Sequence, residues 1–427
     1  MPTWIVIHSE FLCNFLGPVL GHFSATQWRH ALNLIEALLV CTARHKTLAA
    51  LTRWLRVPHA DEYAQADFLR VSPWDAADVR TRILVCLLQL VLKIQTVTGW
   101  RLLFLSVDDS LCGKDVATHK LQAVSLHFDH VRQRRQQDQY TNASRYVALH
   151  LQFGPVQLLV NWRLYLKRKQ VKALNRERRA AGQPPLAYQS LPTLVDAMLA
   201  ELAPHLPKRC RVYVLFDSWY ASTRLFKSIR AHGWHWICAA KANRQLDAYP
   251  LAQWWRHLGH QPIKRVTLAS TKGSRTYSTR YRVGRLRRYP VPVTAVFSKR
   301  HSRDTHPAYF LCSDTSLSVP CILKYYSHRW QTEVDNWWLK ERLGLADYRV
   351  QSIEAITRWH ALVFAAYAFL QVRRAQPLLT DPKATLEPLG DTLTAHRQWH
   401  GQQMLVAIAQ RVRQGATDAE LLAEFMT

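Results

Sequence analysis

Apolar positions recur at helical spacing through the first hundred residues. Ser24 followed by Gln27 has the spacing of a capping box, and behind it Trp28, Ala31, Leu32, Leu34, Ile35, Leu38 and Leu39 form one periodic run. A short helix is predicted over Thr47–Leu55, with Leu48, Leu51 and Leu55 on one face, and a longer one over Trp74–Ile94. Such short helices read either as a helix-turn-helix entering a DNA groove or as a plain bundle packed on a core. Near Arg101 the period changes. Leu102–Val107 is a compact apolar run ending in Asp108-Asp109-Ser110, and Arg145–Gln152 and Val156–Leu166 alternate on either side of Phe153-Gly154-Pro155, a hairpin pattern. A helix near Leu191–Leu202, a strand over Val212–Phe216 ending in Asp217, a helix over Ala221–Ala231 and a strand over Trp236–Ala240 follow. From about Asn243 to Ser318 the chain turns to short basic strands, Val266–Ser270, Tyr277–Val283 and Val291–Phe297, which suggests a β-rich insertion in an α/β fold. A long helix from about Cys321 to Leu343, an apolar one near Ile353–Val372 and modest helices over Leu405–Val412 and Asp418–Phe425 end the pattern.

Composition narrows the class. The 427 residues carry 57 Lys and Arg against 30 Asp and Glu, a net charge of +27, yet 48% are hydrophobic and 16 are Trp. A disordered basic tail lacks the apolar residues for a core; this chain has them. Its longest apolar runs, Ile83–Leu92 and Ala361–Val372, fall short of the ~20 residues that span a bilayer, and the N-terminus lacks the pattern of an export signal. The expectation is a folded polyanion-binding protein in the cytoplasm. Two basic clusters stand out: Lys167, Arg168, Lys169, Lys172, Arg176, Arg178 and Arg179, then Arg285, Arg287, Arg288, Lys299, Arg300 and Arg303. The eight cysteines are scattered without metal-ligand spacing and read as reduced thiols, so no structural zinc is predicted. His127-Phe128-Asp129-His130 reads as a local turn rather than a metal site.

In so basic a chain the informative residues are acids at strand ends. Asp109 and Asp217 each follow an apolar strand and precede Ser, and carboxylates on neighbouring strands can converge on divalent cations. The long helix adds a third acid. At about 100° per residue, with Glu333 as zero, Tyr326, Arg329 and Lys340 fall within an arc of about 60°. Leu323, Trp330, Val334 and Trp337 fall at roughly +40° to +100°, an apolar stripe expected to enter the core beside this polar quartet.

Tyr326, two residues, Arg329, three residues, Glu333, six residues and Lys340 resemble the signature of bacterial DDE transposases of the insertion-sequence-four family. The surrounding Tyr325-Tyr326-Ser-His-Arg-Trp-Gln-Thr-Glu333, Lys340-Glu-Arg-Leu-Gly-Leu345, Asp108-Asp109-Ser110 and Phe216-Asp217-Ser218-Trp219-Tyr220 extend the likeness over roughly residues 100–375. The resemblance implies an α/β fold with a ribonuclease-H-like mixed-sheet core, a β-rich insertion, a helical N-terminal region and a helical C-terminal segment. By the same likeness Asp109, Asp217 and Glu333 are both catalytic residues and ligands of two Mg²⁺ ions, with Mn²⁺ able to substitute, and Tyr326, Arg329 and Lys340 contact DNA beside the cut. Between Asp108 and Asp109, which point to opposite sides of a strand, the family's acid-then-Ser pattern favours Asp109. Some relatives stack a flipped base on a Trp of the insertion; here core packing is the default for Trp234, Trp236, Trp254 and Trp255.

The expected organisation is a helical region for DNA-end recognition over 1–98, catalytic core over 99–242 and 319–375 around an insertion at 243–318, and a helical segment over 376–427. The expected function is an insertion-sequence transposase that binds double-stranded DNA at terminal inverted repeats and at its target, acts as a homodimer, and cleaves and transfers strands. The rivals are a domesticated DNA-binding protein without catalysis and a ribonuclease-H-fold nuclease without strand transfer.

Overall fold

The computed structural model describes residues 4–57, 60–129, 139–270, 273–301 and 303–425. Five helices open the chain: α1 (Glu10–Leu20), α2 (Ala25–Val40), α3 (Leu48–Thr52), α4 (Glu62–Arg70) and α5 (Ala76–Thr98). The Ser24–Gln27 capping box forms as the sequence predicts. Residues His30–Val40 of α2 are buried without interruption, because the helix lies inside a bundle rather than on its surface. The bundle is completed from far along the chain by α12 (Ile353–Ala375), which packs on both α2 and α5. The short helices thus pack together as a bundle. Helix α5 is long and apolar enough to cross a membrane by composition, which the shorter run Ile83–Leu92 did not suggest. In the fold its Val79, Ile83, Leu84, Leu87, Leu88, Leu90, Val91 and Ile94 are buried among protein elements.

A mixed sheet follows. Strand β1 (Leu102–Gly113) is central, antiparallel to β3 (Tyr140–Phe153) and parallel to β5 (Arg211–Phe216), and β5 is parallel to β6 (His235–Ala239). Strands β3 and β4 (Val156–Tyr165) form the predicted hairpin. Gly154 in its turn has φ +58°, and a Cβ there would meet the Trp100 ring at 2.3 Å, so both backbone and space require glycine. Helices α6 (Arg168–Ala180), α7 (Leu191–Leu202) and α8 (Thr223–Ala231) lie between the strands in sequence, and after β6 come the short strands β7 (Gln245–Leu246) and β8 (Tyr249–Pro250) and helix α9 (Leu251–His257). Mixed strands with helices at both ends of the chain give the ribonuclease-H-like α/β architecture.

The basic strands at 264–312 do not stand apart from this sheet. In β9 (Lys264–Ser270), β10 (Gly273–Arg285), β11 (Pro292–Lys299) and β12 (Ala308–Cys312) neighbours pair antiparallel, and β12 pairs with β6, so the sheet runs β2-β3-β1-β5-β6-β12-β11-β10-β9. Strand β2 (Ser125–Phe128) forms its other edge, so His127 and Phe128 lie on a strand and not in the expected turn. His130 lies outside the described residues. Two cores flank the sheet. Phe104, Tyr213, Leu215 and Ile237 face a small cluster under α10 (Val319–Ser327), while Leu105, Val107, Val214 and Phe216 face the larger one that includes the bundle. The side that a strand residue takes is therefore fixed by its parity.

The predicted continuous helix at 321–343 is a succession of shorter turns. After α10 come a 3₁₀ turn (His328–Trp330), α11 (Gln331–Trp337) and a π turn (Trp338–Arg342). Such turns break a uniform rotation of about 100° per residue. The stripe expected in the core is consequently divided: Leu323 is 5% exposed, but Trp330 is 70%, Val334 36% and Trp337 46% exposed.

Candidate active site

Strand parity builds the site. Phe104 pairs with Tyr213 and Val107 with Phe216 in the parallel ladder, so Asp108 and Asp217 are the next residues along the two strands. Both continue the face of Phe104, Tyr213 and Leu215, the face covered by α10. Asp109 takes the opposite face. There its Oδ2 accepts from Arg145 Nε at 2.7 Å and its Oδ1 from the buried Tyr220 hydroxyl at 2.6 Å. Arg145 is on β3 and Tyr220 belongs to the larger core, so Asp109 is held between sheet and core.

The segment carrying Glu333 lies on the face of Asp108. Arg329 Nη1 donates to Asp108 Oδ2 at 2.9 Å, and the Thr332 hydroxyl donates to the same oxygen at 3.0 Å. Lys340 Nζ donates to Ser110 Oγ at 2.9 Å, two residues farther along the same face of β1. Tyr326 packs edge-on against Phe310, with the Arg329 guanidinium 6.0 Å from its ring centre. Glu333 itself is exposed, and Asp217 is half-buried with Oδ1 accepting the backbone N–H of Trp219 at 2.8 Å. Tyr326, Arg329 and Lys340 thus gather with Asp108 and Ser110, while Asp109 is turned away.

The buried residues of α11 explain its orientation. Asp335, 1% exposed, accepts from the Tyr367 hydroxyl at 2.7 Å and lies 2.6 Å from His150 Nδ1. Asn336 Oδ1 accepts from the Tyr146 hydroxyl at 2.6 Å. Tyr146 and His150 share the even-numbered face of β3 that pairs with Asp108's neighbours. The inward side of α11 is therefore polar, which pushes Val334 and Trp337 outward.

Electrostatics follow the same geometry. The Asp108 carboxyl is pushed up to about 6, first by burial and then by Asp109, Glu333 and Asp217, while Arg329 pulls it down. Burial also raises the Tyr326 hydroxyl to about 12. Arg329 is held more firmly protonated: burial opposes its charge, but Tyr326, Asp108, Asp217 and Glu333 outweigh it. Among the described residues these three acids are not packed at mutual ligand distance; like charges stand apart with one guanidinium beside them. Oxygen donors on β1, just past the end of β5 and on a helix, with Asp108's proton affinity raised by burial and then by the other acids, fit a divalent cation that prefers oxygen.

A family model for DDE superfamily endonucleases matches residues 18–289, well over half of the chain. The chain belongs to this family. Comparison with curated proteins gives no match. The endonuclease match covers Asp108, Asp109 and Asp217 and ends before Glu333. Membership implies DNA as substrate and chemistry assisted by divalent metal.

Ser106, Asp108 and Ser110 follow Phe104 on one face of β1, whereas Leu103, Leu105 and Val107 precede Asp109 on the other. Thr332 and Asp335 had no signal outside the tertiary fold. Of the four tryptophans, Trp236 is fully buried with its ring 3.9 Å from Phe226 and Trp254 is buried, as core packing requires, whereas Trp234 and Trp255 are only partly buried, Trp234 stacked on His232 and Trp255 under Arg280 and Lys299.

Proposed function

We propose that this endonuclease is a transposase of the insertion-sequence-four type, which cuts double-stranded DNA at the terminal inverted repeats of its element and joins the freed 3′ ends to target DNA. The observation that carries the reading is the meeting of Arg329 and Lys340, members of the Tyr–Arg–Glu–Lys signature, with one face of the strand that bears Asp108. On this reading Asp108, Asp217 and Glu333 hold two Mg²⁺ ions, which Mn²⁺ can replace. Asp108 takes the role that the Asp-Ser spacing gave to Asp109, because Asp109's oxygens are engaged by Arg145 and Tyr220 on the other face. The ions supply charge neutralisation at the reacting phosphate and activation of the attacking hydroxyl.

The chain's own residues position the DNA. Arg329 places a guanidinium beside the carboxylates, where the negative charge of a phosphate must be balanced, and Lys340 adds an ammonium over Ser110. Tyr326 stays protonated across physiological pH and can donate to a phosphate oxygen. Two ends must be paired before joining, so the acting species is a homodimer.

The test uses a fragment carrying the element's terminal repeat, with Mg²⁺ and then Mn²⁺. Wild type should cut at the repeat boundary and transfer the end to a second DNA. Asp108→Asn, Asp217→Asn and Glu333→Gln should bind and not cut. Cutting without joined product would reduce the reading to a nuclease, and binding without cutting in wild type would leave a DNA-binding relic.

A further inference from the structure

Far from these acids, the core holds a second set of metal-type ligands. Glu36 of α2 and His396 and His400 of α13 (Leu389–Arg413) are each 0% exposed, and their ligand atoms lie within 4.8 Å of one another. The two histidines are four residues apart, so their rings leave α13 on one face, one turn apart. Glu36 Oε1 is 2.7 Å from His400 Nε2 and 3.2 Å from His396 Nε2; its Oε2 is 2.9 Å from His8 Nδ1 and accepts the Ser9 N–H at 3.2 Å. We propose that Glu36, His396 and His400 bind one zinc ion, which fastens α13 to the N-terminal bundle.

Hydrogen bonding leaves this cluster incomplete. Among the described residues His400 Nδ1 has no hydrogen-bond partner, and His396 Nε2 has only the 3.2 Å contact with Glu36 Oε1. Buried imidazole nitrogens in that condition cost stability. Directing Nε2 of both rings and one carboxylate oxygen at a cation uses three lone pairs at once. Zinc takes this set: about 2.0–2.1 Å to each ligand places tetrahedral ligand atoms about 3.3 Å apart. The 3.2 Å contact is already near that spacing, and the 2.7 Å contact has to open by roughly half an ångström. The ionic state suits as well. Three imidazoles hold the Glu36 carboxyl far below the usual range against the opposing effect of burial, and burial keeps His396 neutral. His8, on the second oxygen, orients the carboxylate from outside.

Arg373 is the opposing group. Its Nη1 lies 3.2 Å from His396 Nδ1, and it can only donate, which places the imidazole proton on Nε2. Zinc at Nε2 requires the other tautomer, so Arg373 must release that nitrogen. It is partly exposed and already lies 5.3 Å from the Phe11 ring, which gives its charge another place to rest. Replacing it with glutamine, whose carbonyl can accept Nδ1–H, should tighten zinc binding about tenfold or more.

The catalytic acids could also take zinc, so the measurement uses full-length protein carrying Asp108→Asn, Asp217→Asn and Glu333→Gln. After zinc loading and dialysis, elemental analysis should find about one zinc per chain. Adding His396→Gln and His400→Gln should remove it, and chelation of the parent should lower the melting temperature by about 5 °C. Cobalt loading provides a readout that needs no second variant: tetrahedral nitrogen–oxygen ligation gives visible absorption that zinc displaces. Less than a tenth of an ion per chain in the loaded parent, or unchanged zinc in a folded double-histidine variant, overturns the site. If the double variant does not fold, a parent whose cobalt spectrum is that of the hydrated ion overturns it equally.

Discussion

Adjacent aspartates on one strand take opposite faces, and the proposed division between chemistry at Asp108 and structure at Asp109 can be measured. Asp108 is a largely buried acid with other acids nearby, so ionising it works against the fold. Its folded pKa, about 6, is above the ordinary 3.8; without a cation, stability falls as pH rises from about 4 through about 6 and stays reduced above. Asp108→Asn should therefore stabilise the cation-free protein at pH 7 by about 1–3 kcal/mol, the scale of that shift, while abolishing cleavage. Asp109→Asn should do the reverse. It leaves the guanidinium of Arg145, 19% exposed, without its partner, a loss of about 3 kcal/mol by denaturant unfolding. A folded, inactive Asp109→Asn beside an active Asp108→Asn would exchange the two roles. The same carboxyl predicts a pH profile. A proton and a cation compete for Asp108, so cleavage at limiting Mg²⁺ should fall about tenfold per pH unit below about 6 and recover with added metal. A profile flat down to pH 5 would remove Asp108 from the metal.

At the scale of elements, the segment bearing Glu333 is held by what it buries, and that was the part least legible in sequence. The wheel brought Tyr326, Arg329, Glu333 and Lys340 to one side, and the contacts of Arg329 and Lys340 with β1 agree. It put Trp330, Val334 and Trp337 inside because hydrophobicity was the only guide to which face is covered. That guide fails where the covering surface is polar: Tyr146 and His150 on β3 demand Asn336 and Asp335, and those partners are almost 190 residues away in sequence. By contrast the hairpin at Gly154, the capping box at Ser24 and the strand that ends just before Asp217 depend on neighbours in sequence and could be read directly, whereas β1, expected to end at Val107, runs on through Asp108 to Gly113 because β3 pairs with it that far. Two measurements separate the faces. Trp330→Ala should leave stability within about 0.5 kcal/mol of wild type, as for an exposed position. Asp335→Ala, which strands His150 and the Tyr367 hydroxyl, should cost about 3 kcal/mol and lower cleavage although Asp335 touches no reacting group. A loss of stability at Trp330 as large as that at Asp335 would contradict the assigned faces.

The whole molecule places its charge where the sheet and bundle leave it outside. Helix α6 buries Val171 and Leu174 and turns Arg168, Lys169, Lys172, Arg176 and Arg179 to solvent, Arg168 lying 4.8 Å from the Tyr188 ring, whereas Arg178 is paired with Glu354 and bonds the Pro184 carbonyl. The four outward cations that rest on no ring among the described residues repel each other unless a polyanion screens them. If DNA lies along them, each phosphate neutralised releases counterions, and log K falls with log salt at a slope of about −0.9 per contact. With about eight contacts over the whole surface, affinity should drop roughly 10⁴-fold between 50 and 200 mM salt. Changing these four residues to Gln should flatten that slope by about 3 and weaken binding to all sequences alike, because phosphate contacts carry no sequence information. Cleavage position should not move, since the acids and the Tyr326–Lys340 set are untouched. An unchanged slope would take α6 off the DNA path and leave the second basic cluster, at Arg285–Arg288 and Lys299–Arg303, to supply it. A flattened slope with a shifted cut site would mean that α6 also sets register, which phosphate contacts achieve only when they fix where the duplex enters the site.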